Sequence, residues 1–382
     1  MSLPTSSPSK KKRSETTDQK FMRATLALAR RGLGNVWPNP AVGCVLVMPE
    51  SGRVVGRGWT QPGGRPHAEI EALRRAGSLA KGATAYVSLE PCNHHGKTPP
   101  CTEALIDAGV ARVVIAMEDP DPRVRGAGQA RLEEAGLAVT GGVCGDEAAA
   151  LNAGFAMRQL SGRPLVCLKI ASTLDGRIAL ASGESRWITG AEARAHGHLL
   201  RAQYDGIMVG IGTALADDPR LTCRLPGLEG RSPVAIVLDS ALRLPAESAL
   251  ARSARDRPVW VVTGQGSDGE RRASLQALGV EVIEVPVGGF GLLALHPALA
   301  ALGERGLTRL LVEGGATLAA GLMRADLIDR IAWYRSNGVI GGDGLAGVSA
   351  LGLESLDAMA RFDRKGIRVL GADLLETLAK RH

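Results

Sequence analysis

Two neighbouring stretches decide the fold of the N-terminal half: "HAEIEALRRAG" at residues 67–77 and "LEPCNHHGKTPPC" at residues 89–101. The first has apolar residues at helical spacing and ends in glycine, so it predicts a helix that begins at His67. The apolar run "ATAYVSLE" predicts a strand that leads into the second stretch. Two prolines before Cys101 predict the start of another helix. A histidine, a glutamate and two cysteines therefore fall where helices begin and a strand ends.

These residue types in this order predict a zinc site. His67, Cys92 and Cys101 offer one nitrogen and two sulfur ligands, a set that suits Zn²⁺ and leaves its fourth tetrahedral position open. A helix N-terminus favours the thiolate, which is the form that binds metal. An open zinc site lowers the pKa of bound water toward about 7. Glu69, in the first turn of its helix, is then placed to move protons without being a ligand.

The arrangement is that of zinc-dependent base deaminases, which carry H-x-E and a downstream P-C-x-x-C. Here the cysteines are nine positions apart, so "NHHGKTPP" is expected to form a loop over the metal, with His94 and Lys97 contacting substrate. Two alternatives remain open: His94 or His95 replaces a predicted ligand, or the zinc is a structural clamp in a non-catalytic scaffold. "GKT" does not predict a phosphate-binding loop, because Pro91 stands where that motif requires glycine.

The surrounding pattern predicts two α/β domains. An amphipathic helix over 17–31 and a strand pair around the turn "PESG" precede alternating helices and strands that end near residue 145. A connecting helix then leads to a second α/β series, and no repeat links the halves. The second half lacks G-x-G-x-x-G, since Gly210 and Gly212 have no third glycine. "LVEGGATLAAGL" instead predicts a strand, a glycine turn and a helix whose first N–H groups can bind phosphate.

Composition favours a small phosphorylated substrate. The net charge is +7, but residues 1–20 hold five basic and two acidic side chains, so the rest carries only +4. Aromatic residues are 3 %, which argues against a single-strand stacking platform. No apolar run approaches the ~18 residues that span a bilayer, and the N-terminus has no secretory signal. Six cysteines without such a signal indicate a reducing, cytoplasmic setting. Neither a nucleic acid nor a membrane is expected as a partner.

The motifs together resemble a known family. "PNPAVGCVLV", "HAEIEAL", "LEPCNHHGKTPPC" and "RVVIAMEDPDPRVRGAG" resemble the deaminase half of bifunctional riboflavin biosynthesis proteins, and "LKIASTLDGRIA", "GESRWITG" and "LVEGG" follow the order of its reductase half. The resemblance covers nearly the whole chain after residue 20. It implies a cytidine-deaminase-like three-layer α/β/α domain at 20–160 and a dihydrofolate-reductase-like α/β domain at 161–382. The polar and charged residues 1–19 are expected to form a disordered extension.

In that family a phosphoribosylamino-diaminopyrimidinone loses its 2-amino group as ammonia, and NADPH then reduces the ribosyl group to ribityl. The resemblance implies one zinc on His67, Cys92 and Cys101, proton transfer by Glu69, and deaminase substrate contacts from Asn39, His94 and Lys97. The implied NADPH contacts are Ala171, Trp187, Thr213, Asp217, Gly315, Ala316, Thr317, Leu318, Ala319, Ala320 and Gly321. The implied reductase substrate contacts are Ser185, Arg201, Leu221, Arg224 and Glu313. Lys169 and Glu313 are the candidates for proton handling.

Two segments of the sequence depart from the family pattern. "DPDP" replaces the usual D-P-N-P and puts Asp121 near the site, while "RSNGVIGGDG" lacks a proline expected near a subunit contact of the implied homo-oligomer.

A nucleic-acid deaminase acting on a flipped base is one rival function, against which the second domain and the modest charge argue. The other is a chain in which one domain is vestigial, although no expected residue is missing.

Overall fold

The computed structural model of the protein describes residues 15–94 and 99–381. Most of the extension predicted at 1–19 lies outside the described residues. Its last part does not: the first helix begins at Thr17, where Thr16 and Gln19 form a reciprocal capping box. Residues 17–19 are therefore helical, as the pattern over 17–31 predicts. In the described part of the chain, no helix is long and apolar enough to cross a membrane.

The chain divides into two compact units. The first comprises residues up to 31 together with 42–60 and 66–151, and the second comprises 32–41, 61–65 and 152–382. The elements of the first unit, the last of which continues into the second, are α1 (Thr17–Ala29), β1 (Gly43–Val47), β2 (Val54–Trp59), α2 (Ala68–Ala76), β3 (Thr84–Val87), α3 (Cys101–Asp107), β4 (Arg112–Ile115), α4 (Ala127–Glu134), β5 (Ala138–Thr140) and α5 (Gly145–Ser161).

In the described part of the first unit, these strands form one sheet in the order β2-β1-β3-β4-β5. Strand β1 is antiparallel to β2 and β3, whereas β3, β4 and β5 run parallel. Side chains of β1 alternate between two cores: Cys44 and Leu46 pack with Ala68 and Ala72 of α2, and Val45 packs with α1. Helices therefore cover both faces, and the predicted three-layer α/β/α architecture is confirmed.

A glycine on β1 lets α1 approach the sheet. A Cβ on Gly43 would lie 2.1 Å from the Thr25 carbonyl oxygen and 3.0 Å from the Ala29 nitrogen, both of them backbone atoms of α1. We expect Gly43→Ala to lower the free energy of unfolding of the first unit by about 1–3 kcal/mol, because the helix must move away from a closely packed core. Urea unfolding followed by circular dichroism measures this. Gly141→Ala, where the added atom lies 3.7 Å from its nearest neighbour, is the control.

The second unit is built on a larger sheet. Its elements are β6 (Leu165–Ser172), β7 (Arg177–Ala179), α6 (Ala191–Gln203), β8 (Gly206–Gly210), α7 (Ile211–Asp217), β9 (Val234–Leu238), α8 (Ala249–Ser253), β10 (Val259–Gly264), α9 (Gly269–Ala277), β11 (Glu281–Val285), α10 (Leu295–Glu304), β12 (Arg309–Val312), α11 (Ala316–Arg324), β13 (Arg330–Arg335), β14 (Leu345–Ala346), β15 (Phe362–Leu370) and β16 (Asp373–Lys380).

Within the described residues the main sheet has the strand order β11-β10-β9-β8-β12-β6-β13-β16-β15. Strands β11 through β13 in that order are parallel, and β16 and β15 add an antiparallel edge. Strand β12 lies between β6 and β8. After β6 the chain extends the sheet on one side through β8 to β11, and after β12 it continues on the other side of β6 with β13. In open α/β sheets, ligands bind outside the carboxyl ends of the strands at such a reversal. The ends of β6, β8 and β12 are therefore where a site is expected.

Candidate functional sites

The predicted zinc ligands converge in the first unit. His67 is the N-cap of α2, Cys101 is the first residue of α3, and Cys92 lies in the loop after β3. The ligand atoms of the three residues lie within 4.8 Å of one another. His67 Nδ1 is 3.6 Å from Cys92 Sγ and 3.3 Å from Cys101 Sγ. The strand ends at Val87 rather than at Cys92, so a short loop, not the strand itself, carries the first cysteine.

This donor set fits zinc. Tetrahedral ligands on bonds of about 2.0–2.3 Å are roughly 3.3–3.8 Å apart, which matches both measured separations. Neither cysteine forms a disulfide. A hydrogen bond from Cys101, together with His67, lowers the pKa of Cys92 to about 4, while the neighbouring Cys92 sulfur raises the pKa of Cys101. Two adjacent thiolates repel each other without a cation, and a divalent metal stabilises both.

Glu69 lies beside these ligands. Its side chain is 3 % exposed, and burial, followed by the negative charge of Cys92, raises its pKa to about 7. A side-chain hydrogen bond from Cys101 acts in the opposite direction. A carboxyl group with such a pKa can accept and release a proton near neutral pH. The geometry therefore provides a metal-binding set and an adjacent proton carrier.

The other residues predicted for the deaminase site have contacts of their own or lie outside the described residues. His94 is exposed at the end of the described loop, and Lys97 lies outside the described residues, as does His95. Asn39 belongs to the segment grouped with the second unit, where its Nδ2 donates to the Gly64 carbonyl oxygen at 2.9 Å. Asp121 forms an ion pair with Arg123 at 2.5 Å.

A second cluster lies at the carboxyl ends of the central strands of the larger sheet. Glu313 follows β12 directly, Lys169 lies on β6, and Arg201 projects from α6. Arg201 Nε and Nη2 each donate to a Glu313 carboxylate oxygen at 2.8 Å, and Lys169 Nζ is 3.7 Å from Glu313 Oε2. Arg201 Nη1 donates to the Thr222 carbonyl oxygen at 3.0 Å. The Arg201 guanidinium, which the resemblance implies as a substrate contact, is engaged with Glu313 in this structure.

The charges around Glu313 determine its ionisation. Burial by itself would raise the pKa of this carboxyl group, but the charges of Arg201 and Lys169 and the hydrogen bonds from Arg201 outweigh it and lower the pKa to about 2. Glu313 is therefore a carboxylate at neutral pH. It fixes the position of the Lys169 ammonium group, which lies 5.6 Å from the centre of the Tyr334 ring.

The predicted cofactor segment begins with a tight turn. Gly314 has φ 156° and Gly315 has φ 68°, so both adopt backbone conformations that favour glycine. A Cβ on Gly314 would lie 3.0 Å from Thr213 Oγ1, and one on Gly315 would lie 3.4 Å from it. Helix α11 begins at Ala316, as predicted. The structure thus brings Thr213 and the Gly315–Gly321 segment together at the ends of β8 and β12.

The remaining predicted reductase residues lie on several elements. Trp187 is 67 % exposed, and the guanidinium carbon of Arg194 lies 4.6 Å from its ring centre. Ala171 lies on β6 opposite Tyr334 of β13. The others are Ser185 in the loop before α6, exposed Asp217 at the end of α7, buried Leu221 with φ 52°, and exposed Arg224.

The two units correspond to a class of protein in which a zinc-binding deaminase is joined to a reductase. Two family models match the chain accordingly. Residues 15–117 match the cytidine and deoxycytidylate deaminase zinc-binding region, and residues 164–375 match the RibD C-terminal domain.

Relatives match over nearly the full length. The riboflavin biosynthesis protein RibD of Escherichia coli is 42 % identical, with 94 % of this chain and 98 % of that protein covered. The RibD of Aquifex aeolicus is 39 % identical over 94 % and 97 % of the two chains. The solved structure of Acinetobacter baumannii RibD superposes with a TM-score of 0.85 at 38 % identity, covering 96 % of this chain and 99 % of that one.

A further solved structure names both activities. The diaminohydroxyphosphoribosylaminopyrimidine deaminase/5-amino-6-(5-phosphoribosylamino)uracil reductase of Thermotoga maritima has a TM-score of 0.83 and 34 % identity over 95 % of this chain and 99 % of that one. The chain belongs to the RibD family of riboflavin biosynthesis proteins. It is a bifunctional deaminase and reductase that acts on a small molecule, with a zinc-binding deaminase domain and an NADPH-dependent reductase domain.

Proposed function

We propose that residues 20–160 deaminate 2,5-diamino-6-(5-phosphoribosylamino)pyrimidin-4(3H)-one and that residues 161–382 reduce the resulting ribosyl-uracil to its ribityl form. The observation that carries the first step is the convergence of His67, Cys92 and Cys101 beside buried Glu69. The second step is supported by the Lys169–Glu313–Arg201 cluster next to the glycine turn at Gly314.

In the deamination, His67, Cys92 and Cys101 hold the metal. When bound, zinc supplies Lewis-acid chemistry that makes water nucleophilic near neutral pH. Glu69 takes the proton that the attacking water gives up and returns it to the leaving amino group. The C–N bond breaks, one water is consumed and one ammonia is released. Asn39 reads the pyrimidine edge, while His94 and Lys97 of the loop contact the substrate and its phosphate.

In the reduction, Thr213 and the Gly315–Gly321 segment bind the cofactor phosphates, with further contacts from Ala171, Trp187 and Asp217. When bound, NADPH supplies the hydride that reaches C1 of the opened, imine-like sugar. Ser185, Leu221 and Arg224 position the substrate. Arg201 acts through Glu313, which holds the Lys169 ammonium group where it can supply the accompanying proton.

The cellular setting follows from the same chemistry. A reaction sequence that uses NADPH and cysteine ligands suits the cytoplasm, where thiols stay reduced. The substrate is a small phosphorylated pyrimidine, so neither nucleic acid nor a membrane is needed as a partner. We expect a homo-oligomer, as the family resemblance implies.

The test separates the two activities in one protein. Purified protein loaded with zinc is incubated with the diaminopyrimidinone, with and without NADPH, and ammonia and cofactor oxidation are measured independently. We expect ammonia in both samples and NADPH oxidation only after ammonia has formed. Chelator-treated protein should release no ammonia. It should still oxidise NADPH when it is given the deaminated ribosyl-uracil product, which is the substrate of the reductase and is called the uracil below. Failure of the zinc-loaded protein to release ammonia would contradict the proposal.

A further inference from the structure

Glu90 is a buried carboxylate that the sequence patterns did not single out. It lies two residues before Cys92 and is 5 % exposed. Its oxygens accept four backbone hydrogen bonds from described residues of the following loop and helix. The donors are the N–H groups of Asp119 at 3.0 Å, Gly126 at 3.0 Å, Gly128 at 2.8 Å and Gln129 at 3.2 Å. One side chain thus satisfies the free N–H groups at the start of α4 and fixes the loop that precedes it.

The same helix approaches the Cys92 loop at a second point. A Cβ on Gly128 would lie 2.1 Å from the Pro91 carbonyl oxygen and 3.1 Å from Glu90 Cγ. Only glycine lets the first turn of α4 lie this close to the peptide that leads into Cys92. On the other side of that cysteine, Asn93 Nδ2 donates to the Ala127 carbonyl oxygen at 3.2 Å. The first turn of α4 therefore holds the chain both before and after Cys92.

Helix α3, which carries Cys101, holds the same peptide from another direction. The N–H group of Thr102 donates to the Cys92 carbonyl oxygen at 3.3 Å, and the Thr102 hydroxyl donates to Asn93 Oδ1 at 2.9 Å. The Cys101 N–H group is 3.4 Å from Cys92 Sγ. Two helices thus fix the backbone of one metal ligand, and Glu90 makes the most hydrogen bonds of the described side chains in this arrangement.

From this geometry we infer that Glu90 is a positioning residue for zinc. Its carboxylate holds the first turn of α4 against the Cys92 loop and so keeps the Cys92 sulfur in position to bind the metal. The inference rests on the proposed zinc site. Groups that orient metal ligands without touching the metal typically change affinity or activity by about 10–100-fold when removed. Without these hydrogen bonds the Cys92 loop would have to become ordered when zinc binds. The conformational entropy lost in that step weakens the affinity for zinc.

The decisive variant is Glu90→Gln, which keeps the size of the side chain. A glutamine has one acceptor oxygen and one NH₂ group, so two of the four backbone donors would face another donor. We expect the zinc dissociation constant, measured by competition with a chromophoric chelator, to rise by about 10–100-fold. NADPH-dependent reduction of the uracil by the same chain should stay within about twofold, which reports that the protein is folded. Glu133→Gln, on the same helix, is the matched control: this carboxylate accepts a hydrogen bond from Gln129 Nε2 at 2.9 Å.

A milder variant keeps the inference testable if Glu90→Gln does not fold. Asn93→Ala removes the hydrogen bond to Ala127 of α4 and also the acceptor of the Thr102 hydroxyl of α3, and a loss of zinc affinity of about fivefold or more is expected. Zinc affinity in a folded variant within twofold of the unaltered chain would overturn the inference while leaving the zinc site intact. Parallel loss of zinc binding and uracil reduction would also overturn it, because it would show a general structural role. If the unaltered chain itself bound no zinc, the proposed function would fail instead.

Discussion

Glu69→Gln is expected to abolish ammonia release while the protein keeps one equivalent of zinc. The substitution preserves the shape of a side chain that is 3 % exposed and does not remove a proposed ligand. It removes the group that can accept and return a proton, whose pKa burial raises to about 7. General acid–base catalysis typically contributes 10²–10⁴-fold, and here the same carboxyl group serves two transfers, so we expect a decrease of about 10³-fold or more in kcat of the deaminase.

The chain offers a control in the same turn. Glu71 is also on α2, but its carboxylate pairs with Arg74 at 3.0 Å and Arg75 at 3.1 Å, so its charge is neutralised by arginines. Glu71→Gln should change the deaminase rate by less than about threefold, since pairs with exposed arginines contribute little. Zinc content by metal analysis and uracil reduction with NADPH complete the measurement. A Glu69→Gln protein that keeps zinc and deaminates at the normal rate would show that another group moves the protons.

The zinc site could be predicted because its chemistry is encoded locally. His67 and Glu69 are two positions apart at the start of one helix, and Cys92 and Cys101 lie at recognisable element boundaries. Helix periodicity and proline placement are short-range signals, so they gave the element order of the first unit correctly. In the second unit they predicted an α/β series but not helix α10 or the strands β13, β15 and β16. They also predicted the start of α11 at Ala316, because a double glycine after an apolar strand requires a turn there.

Contacts between distant segments could not be predicted in this way. Arg201 and Glu313 are 112 positions apart, and nothing in either stretch shows that the guanidinium fork is paired with a carboxylate. Likewise, Glu90 looks like an ordinary acidic residue before Pro91-Cys92 until the fold brings α4 against it. Such pairings depend on strand order, since β12 must insert between β6 and β8 before Glu313 can meet Lys169.

Arg201→Ala should impair reduction and leave deamination intact. Removing the guanidinium leaves the Glu313 carboxylate, whose side chain is 9 % exposed, without two hydrogen bonds of 2.8 Å. Burial then raises the pKa of Glu313 from about 2, and Lys169 loses a fixed partner. Because a misplacement of about 1 Å at a reacting group can cost 10²-fold, we expect kcat of the reductase to fall by about that factor or more. Ammonia release should change by less than twofold.

The sign of the pH effect distinguishes this account from a simple loss of substrate affinity. A carboxylate whose pKa is lower in the folded state than in the unfolded state stabilises the folded protein at pH values above the unfolded pKa. This stabilisation is lost as the pH falls through the folded-state pKa of about 2. In Arg201→Ala the pKa of Glu313 in the folded state rises toward or above its unfolded value, so its stabilisation at neutral pH shrinks and the free energy of unfolding falls less steeply in acid. The acid limb of reductase kcat follows the folded-state pKa and should therefore move to higher pH. Arg252→Ala, an exposed arginine on α8, is the control and should leave both profiles unchanged. Equal losses of ammonia release and reduction would show that the cluster supports the whole chain rather than one reaction. An unchanged acid limb of reductase kcat with a raised KM would show instead that Arg201 contacts the substrate directly.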